Sequence, residues 1–263
     1  MWLLKGLAML VLVLIGLNDA YKILAIFPTL AKSHYFVGSA LVRELAEKGH
    51  EVTMISPFST KPPAKNVNDI VTTPSSELVN GFTPNFFEMK SMYIFQTFLM
   101  LYNLGATTVN ATLQSKGVQE LMNSKQKFDV IICEAFAIEA FLGFSHHFHA
   151  PVVACLDVWC FGVYNTTHRM TLLERVHNII TETIDHILYE WYHIPMQEKL
   201  YDQYFPDPKP DFRDITKNVS LVLLNTHFSL GRPRPYAVNM IEVGGLQVNR
   251  KPKPLPADIQ RFP

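Results

Sequence analysis

Residues 21 to 58, YKILAIFPTLAKSHYFVGSALVRELAEKGHEVTMISPF, constrain the fold more than any other stretch. An apolar run from Ile23 to Phe27 predicts a strand. Ser33 and His34 fall in the turn after it, a helix is predicted over about Tyr35 to Lys48, and Gly49-His50 leads into a second strand from Glu51 to Ile55. A strand, helix and strand in this order build a parallel sheet, whose ligands sit beyond the carboxyl ends of the strands. The first turn of a dinucleotide-binding unit carries a glycine-rich phosphate cradle. Here no glycine stands between Ala25 and Val37, and a histidine takes that place. The turn suits proton chemistry better than the grip of a dinucleotide, which argues against a nicotinamide-dependent enzyme.

The same pattern returns downstream. Val130 to Cys133 is a continuous apolar run ending in Glu134, a helix is predicted over about Ile138 to His147, and Val152 to Leu156 is another apolar strand ending at Asp157. Runs without polar alternation are expected of strands buried on both faces. Ser220 to Asn225 is the last of them. The class is therefore α/β, a Rossmann-like doubly wound parallel sheet. Residues 21–247 are assigned to that domain. Pro84 to Leu104, rich in aromatics and Met, is predicted helical and packed in the core, and a further helix is predicted over about Thr108 to Ser124. From Thr171 to Tyr204, apolar residues from Leu172 to Trp191 recur at three- and four-residue steps, which predicts one long amphipathic helix. Its apolar face is expected against the core, with contact at a membrane surface as the alternative.

Residues 1–20 read as a secretory signal: Lys5, a short apolar run from Gly6 to Leu17, then Asn18-Asp19-Ala20. The run falls short of the roughly 20 residues a membrane span needs. Entry into the secretory pathway gives meaning to three Asn-x-Ser/Thr triplets, at Asn110, Asn165 and Asn218. Asn218, at a strand start, is expected to be poorly accessible. Lys+Arg and Asp+Glu both number 23, so no basic surplus exists for nucleic acid. Cys133, Cys155 and Cys160 make no disulfide framework, and the first and second read as buried thiols. His146, His147 and His149 lack metal-site spacing, and no metal or cofactor is expected. Residues 248–263 are proline-rich and linker-like.

His34 is the first candidate for chemistry. An imidazole titrates near neutral pH and is suited to general-base work. A helix N-terminus beside it disfavours the imidazolium and keeps the ring available. Glu134, at a strand end in the same crevice, can orient the ring and stabilise the charge it acquires. Glu139 is a second candidate for that part. No Gly-x-Ser-x-Gly elbow is present, which disfavours a serine hydrolase.

With these residues in place, the chain resembles the UDP-glycosyltransferases of animals, closely so the insect members. The resemblance rests on Ile23-Leu-Ala-Ile-Phe-Pro28 with Ser33-His34, on Leu45-Ala-Glu-Lys-Gly-His-Glu-Val-Thr53, Phe128-Asp-Val-Ile-Ile132 and Ala150-Pro-Val-Val153. More specific are Leu224-Asn-Thr-His-Phe-Ser229, Arg232-Pro-Arg-Pro235, Ile241-Glu-Val-Gly-Gly-Leu246 and Lys251-Pro-Lys-Pro-Leu-Pro256. It implies the N-terminal, acceptor-binding half of a two-domain GT-B fold. His34 would take the proton of an acceptor hydroxyl, whose oxygen displaces UDP from the sugar with inversion. The orienting acid, an aspartate in most of the family, falls on Glu134 or Glu139. The implied partners are a small lipophilic acceptor and, as co-substrate rather than cofactor, a UDP-sugar bound by a C-terminal domain expected to be absent from this chain. The resemblance implies the lumen of the endoplasmic reticulum, with a membrane anchor in the full-length family. The alternative reading is a non-catalytic lumenal or secreted module that binds lipophilic molecules; pairing of chains into a homo-oligomer is left open.

Overall fold

The computed structural model describes residues 20–72, 93–157, 170–227, 229 and 235–248. The signal-like residues 1–19, Asn165, Cys160, residues 84–92 of the Pro84 to Leu104 segment and the proline-rich 249–263 lie outside the described residues.

Seven parallel strands form one sheet in the order β3-β2-β1-β4-β5-β6-β7. They are β1 (Lys22–Ile26), β2 (Glu51–Ser56), β3 (Val67–Val71), β4 (Val130–Glu134), β5 (Val152–Asp157), β6 (Val219–Asn225) and β7 (Met240–Glu242). The strand order reverses between β1 and β4, so the crevice of a doubly wound sheet opens beyond the ends of these two strands. Ile23 pairs with Val52 on one side and Val130 on the other, which fixes the register across that point. The amide of Lys22 donates to Asp129 Oδ2 at 2.7 Å and anchors the start of β4 beside β1.

The central strands β1 and β4 are apolar along most of their length because both faces are covered. Leu24, Ile26, Ile131 and Cys133 point into a large core under helices α2 (Ile94–Gln114), α3 (Lys116–Met122), α4 (Gly143–Phe148) and α6 (Ile194–Tyr204). Ile23, Ala25, Phe27, Met54 and Ile132 point the other way, onto α1 (Lys32–Glu47). Close approach of α1 depends on Gly38, where a Cβ would lie 2.5 Å from the Phe27 ring. Cys133 and Cys155 are both buried, in different clusters.

Three boundaries differ from those the sequence predicts. Helix α1 begins at Lys32, so Ser33 and His34 stand in its first turn rather than before it; Ala31 caps it without any side-chain bond, leaving no cap residue to mark the start. Second, the helix expected from Thr108 is the end of a longer one that starts at Ile94 and breaks at Ser115. Third, the predicted Thr171–Tyr204 helix is two: α5 (Leu172–Leu188) and α6, joined by a π turn over Tyr189–His193 in which the Ile194 amide donates to the Tyr189 carbonyl. Pro195, in the first turn of α6, has no N–H to continue a regular ladder.

The apolar face of α5 corrects the expectation that it packs on the core. Thr181 is its one buried residue, whereas Leu173 is 80% exposed, Ile179 63% and Ile180 53%. Trp191, in the π turn, is 82% exposed. The side of α5 that meets α2 is partly polar: Asp185 accepts a hydrogen bond from the Tyr102 hydroxyl at 2.5 Å. No helix of the described residues is long and apolar enough to cross a membrane.

Candidate functional site

One short segment after β4 carries both candidate carboxylates. Glu134 is the last residue of β4, and the chain then turns through Ala137, which adopts the left-handed conformation at φ 55°, into a 3-10 turn over Glu139–Leu142. A non-glycine residue in that region is uncommon and needs support from its surroundings. Here Gln197 supplies it, spanning the segment with its amide: Nε2 donates to the Ala137 carbonyl and Oε1 accepts from the Ala140 amide, both at 3.1 Å. Gly105 of α2 completes the support. A Cβ there would stand 2.0 Å from the Ala137 carbonyl oxygen, so only glycine lets α2 reach the segment.

The two carboxylates face different histidines. Glu134 Oε1 is hydrogen-bonded to His34 Nδ1. The pair is mostly enclosed, with side-chain exposures of 15% for His34 and 5% for Glu134. The His34 and Phe136 rings meet in a T-shaped contact at a centroid distance of 5.3 Å. Glu134 Oε2 is buried with no hydrogen-bond partner among the described residues, so the imidazole is the principal compensation for this carboxylate. The pair sits where β1 and β4 end, at the reversal of strand order.

Glu139 takes its bonds from the other flank. His193 Nε2 meets Glu139 Oε2 at 2.5 Å, and the Tyr189 hydroxyl donates to Oε1 at 3.2 Å. His193 is fully buried and stacked on Tyr102 at 4.5 Å. Burial, then the bond to Asp185, pushes the Tyr102 hydroxyl well above the ordinary tyrosine range. Burial, then the charge of Glu139, does the same for Tyr189. The Cys133 thiol beneath is raised by burial and then by Glu134. Of the two acids, Glu134 is thus the one bonded to His34, while Glu139 ties the π turn to the loop after β4. Asp157, at the end of β5, pairs in the ladder with Asn225.

His193, Tyr189, Tyr102 and Gln197 do not stand out in the sequence. Their one signal is Pro195, which interrupts the helical pattern just after His193. Among the described residues no group of His, Cys, Asp and Glu is placed to hold a metal ion. A depression of about 320 Å3 lies at the opposite end of the strands, by the amino ends of β5 and β6, and neither His34 nor Glu134 lines it. Asn110 stands within α2 and Asn218 just before β6. Asn218 is exposed, contrary to the expectation of poor access.

Residues 160–263 match the family described as UDP-glucoronosyl and UDP-glucosyl transferase. A UDP-glucosyltransferase 2 of Dactylopius coccus is 27% identical over 271 residues, covering 95% of this chain and 52% of its own length. The 2-hydroxyacylsphingosine 1-beta-galactosyltransferase of Homo sapiens is 26% identical, covering 94% of this chain and 49% of its own. The chain spans about half the length of these curated relatives. Among solved structures, the calicheamicin glycosyltransferase CalG4 is similar over 86% of this chain and 52% of its own, at 14% identity and a TM-score of 0.46.

Proposed function

Since the chain is a relative of the UDP-glycosyltransferases, we propose that it supplies the acceptor side of a hexosyl transfer, with His34 as general base and Glu134 as its orienting acid. The reaction moves a hexose, glucose by our reading, from a UDP-sugar to a hydroxyl of a small lipophilic acceptor. In this reading Nδ1 carries the proton shared with Glu134, and Nε2 accepts the acceptor's hydroxyl proton. The oxygen attacks the anomeric carbon as UDP leaves, inverting the configuration. Glu134 holds the ring in one tautomer and offsets the positive charge it gains. A second domain of GT-B type contributes the UDP-sugar. The lumen of the endoplasmic reticulum is the proposed compartment, on the strength of the signal-like start and the glycosylation triplets.

The observation that supports this most is the bond between His34 and Glu134 at the reversal of strand order. The test is transfer from UDP-glucose to a panel of phenols, by the chain joined to a UDP-sugar-binding domain. His34→Ala is expected to abolish product while acceptor affinity changes little; equal rates for the two proteins would refute the assignment.

A further inference from the structure

Of the glycosylation triplets in the described residues, we infer that Asn218 is modified and Asn110 is not, and that the first sugar on Asn218 seats in the depression beside it. The inference rests on the lumenal reading above. Asn218 is exposed, and its side chain enters none of the hydrogen bonds found among the described residues. Ser220, which completes the triplet, is exposed too. Strand β7 pairs with β6 only from Val222 onward, so the opening residues of β6 carry no β7 partner. Asn110 differs in each respect. It stands within the 21-residue helix α2, and its Oδ1 accepts from the Tyr204 hydroxyl at 2.6 Å and from Gln114 Nε2 at 3.1 Å. Thr112, the hydroxyl of that triplet, is 3% exposed. A glycan on Asn110 Nδ2 would have to fit beside the Oδ1 contact that joins α2 to α6.

The depression of about 320 Å3 supplies the second observation. Asn218 and Ser220 form part of its wall, with Pro151, Pro210 and His149 among the residues around it. Its size is at the lower end of small-molecule sites. Two proline rings offer apolar surface to the face of a pyranose, and His149 offers a polar edge. Modification forms one bond and breaks one. The Asn218 amide nitrogen displaces a lipid-linked diphosphate from the anomeric carbon of N-acetylglucosamine and loses a proton. An N–C bond replaces a C–O bond, and the co-reactant is the lipid diphosphate-linked oligosaccharide of the lumen. The attached glycan would stand at the amino ends of the strands, opposite His34, leaving the crevice open.

The test is production of the chain in insect cells under a mannosidase inhibitor, removal of glycans with peptide N-glycosidase in heavy-oxygen water, and mass spectrometry of the peptides. Heavy oxygen is expected at residue 218 and not at 110. Label at 165 without label at 218 overturns the site. Label at 110 overturns the burial argument. No label anywhere overturns the lumenal reading and this inference with it. Ser220→Ala should remove the label at 218 with Asn218 itself unchanged. The seat has its own readout: endoglycosidase trimming to a single sugar should leave Tm unchanged, and complete removal should lower it by about 2 °C. Equal Tm values after both treatments refute the seat.

Discussion

His34 and Glu134 are separated by 100 residues and share one hydrogen bond across the boundary between β1 and β4. Glu134 ends β4 and His34 stands in the first turn of the helix that follows β1, so the bond exists only once the parallel pair has formed. The same contact compensates a buried carboxylate, which couples the chemistry to the packing.

Glu134→Gln tests the charge separately from the shape. The amide still accepts from Nδ1, but the countercharge is gone. In a protein joined to a UDP-sugar-binding domain, kcat is expected to fall about 100-fold or more, with acceptor Kd within a factor of three or so, the ~0.6 kcal/mol of a minor contact. Steady-state kinetics and calorimetric titration measure the two; a kcat matching that of the unaltered protein removes Glu134 from the mechanism.

His193→Ala should cost stability heavily, by about 3–5 kcal/mol, because it empties a fully buried position and leaves the Glu139 carboxylate with only the Tyr189 bond of its two. Ile180→Glu, on the outward face of α5, should stay within about 0.5 kcal/mol. Urea unfolding of both variants decides. A large loss for Ile180→Glu would mean that this face is covered in solution.

Gly105→Ala adds one methyl group against the Ala137 carbonyl. Overpacking of this kind costs about 1–3 kcal/mol. Because the clash falls on the segment between the two glutamates, the amide signals of residues 134–139 should shift most in a nitrogen–proton NMR spectrum. Unmoved signals there would contradict the close approach of α2.

Alkali should act through Tyr102 and Tyr189. Both are raised in the folded chain, and both ionise near pH 10 when unfolded. Their contribution to stability is therefore complete below about pH 10 and is lost as pH rises beyond it. Absorbance at 295 nm should show the two phenolates appearing only as the fold is lost, with Tyr→Phe variants making the assignment. Ionisation of both in native protein near pH 10 would be the contrary result.

The sheet and the pair at its edge are legible in the sequence because each rests on a local signal. Val130 to Cys133 reads as a doubly buried strand whatever surrounds it, and Glu134 comes directly after. The start of the helix that carries His34 is hidden because Ala31 gives no capping residue to read. Periodicity marks the apolar side of α5 correctly, but a pattern of spacing does not say which way that side faces. The bond between Glu139 and His193 is out of reach for a related reason: it depends on a π turn, and only Pro195 hints at one.

That turn holds one residue more than an α-helical turn. At 3.6 residues per turn, each extra residue rotates the downstream helix by about 100°. The two helices therefore run out of phase. Before the offset, Ile179 and Ile180 look to solvent; after it, His193, Ile194, Gln197 and Tyr201 look inward. Removing a single residue from 189–193 would bring the two halves into step, and the helix would have to choose between hiding its isoleucines and keeping its grip on Glu139.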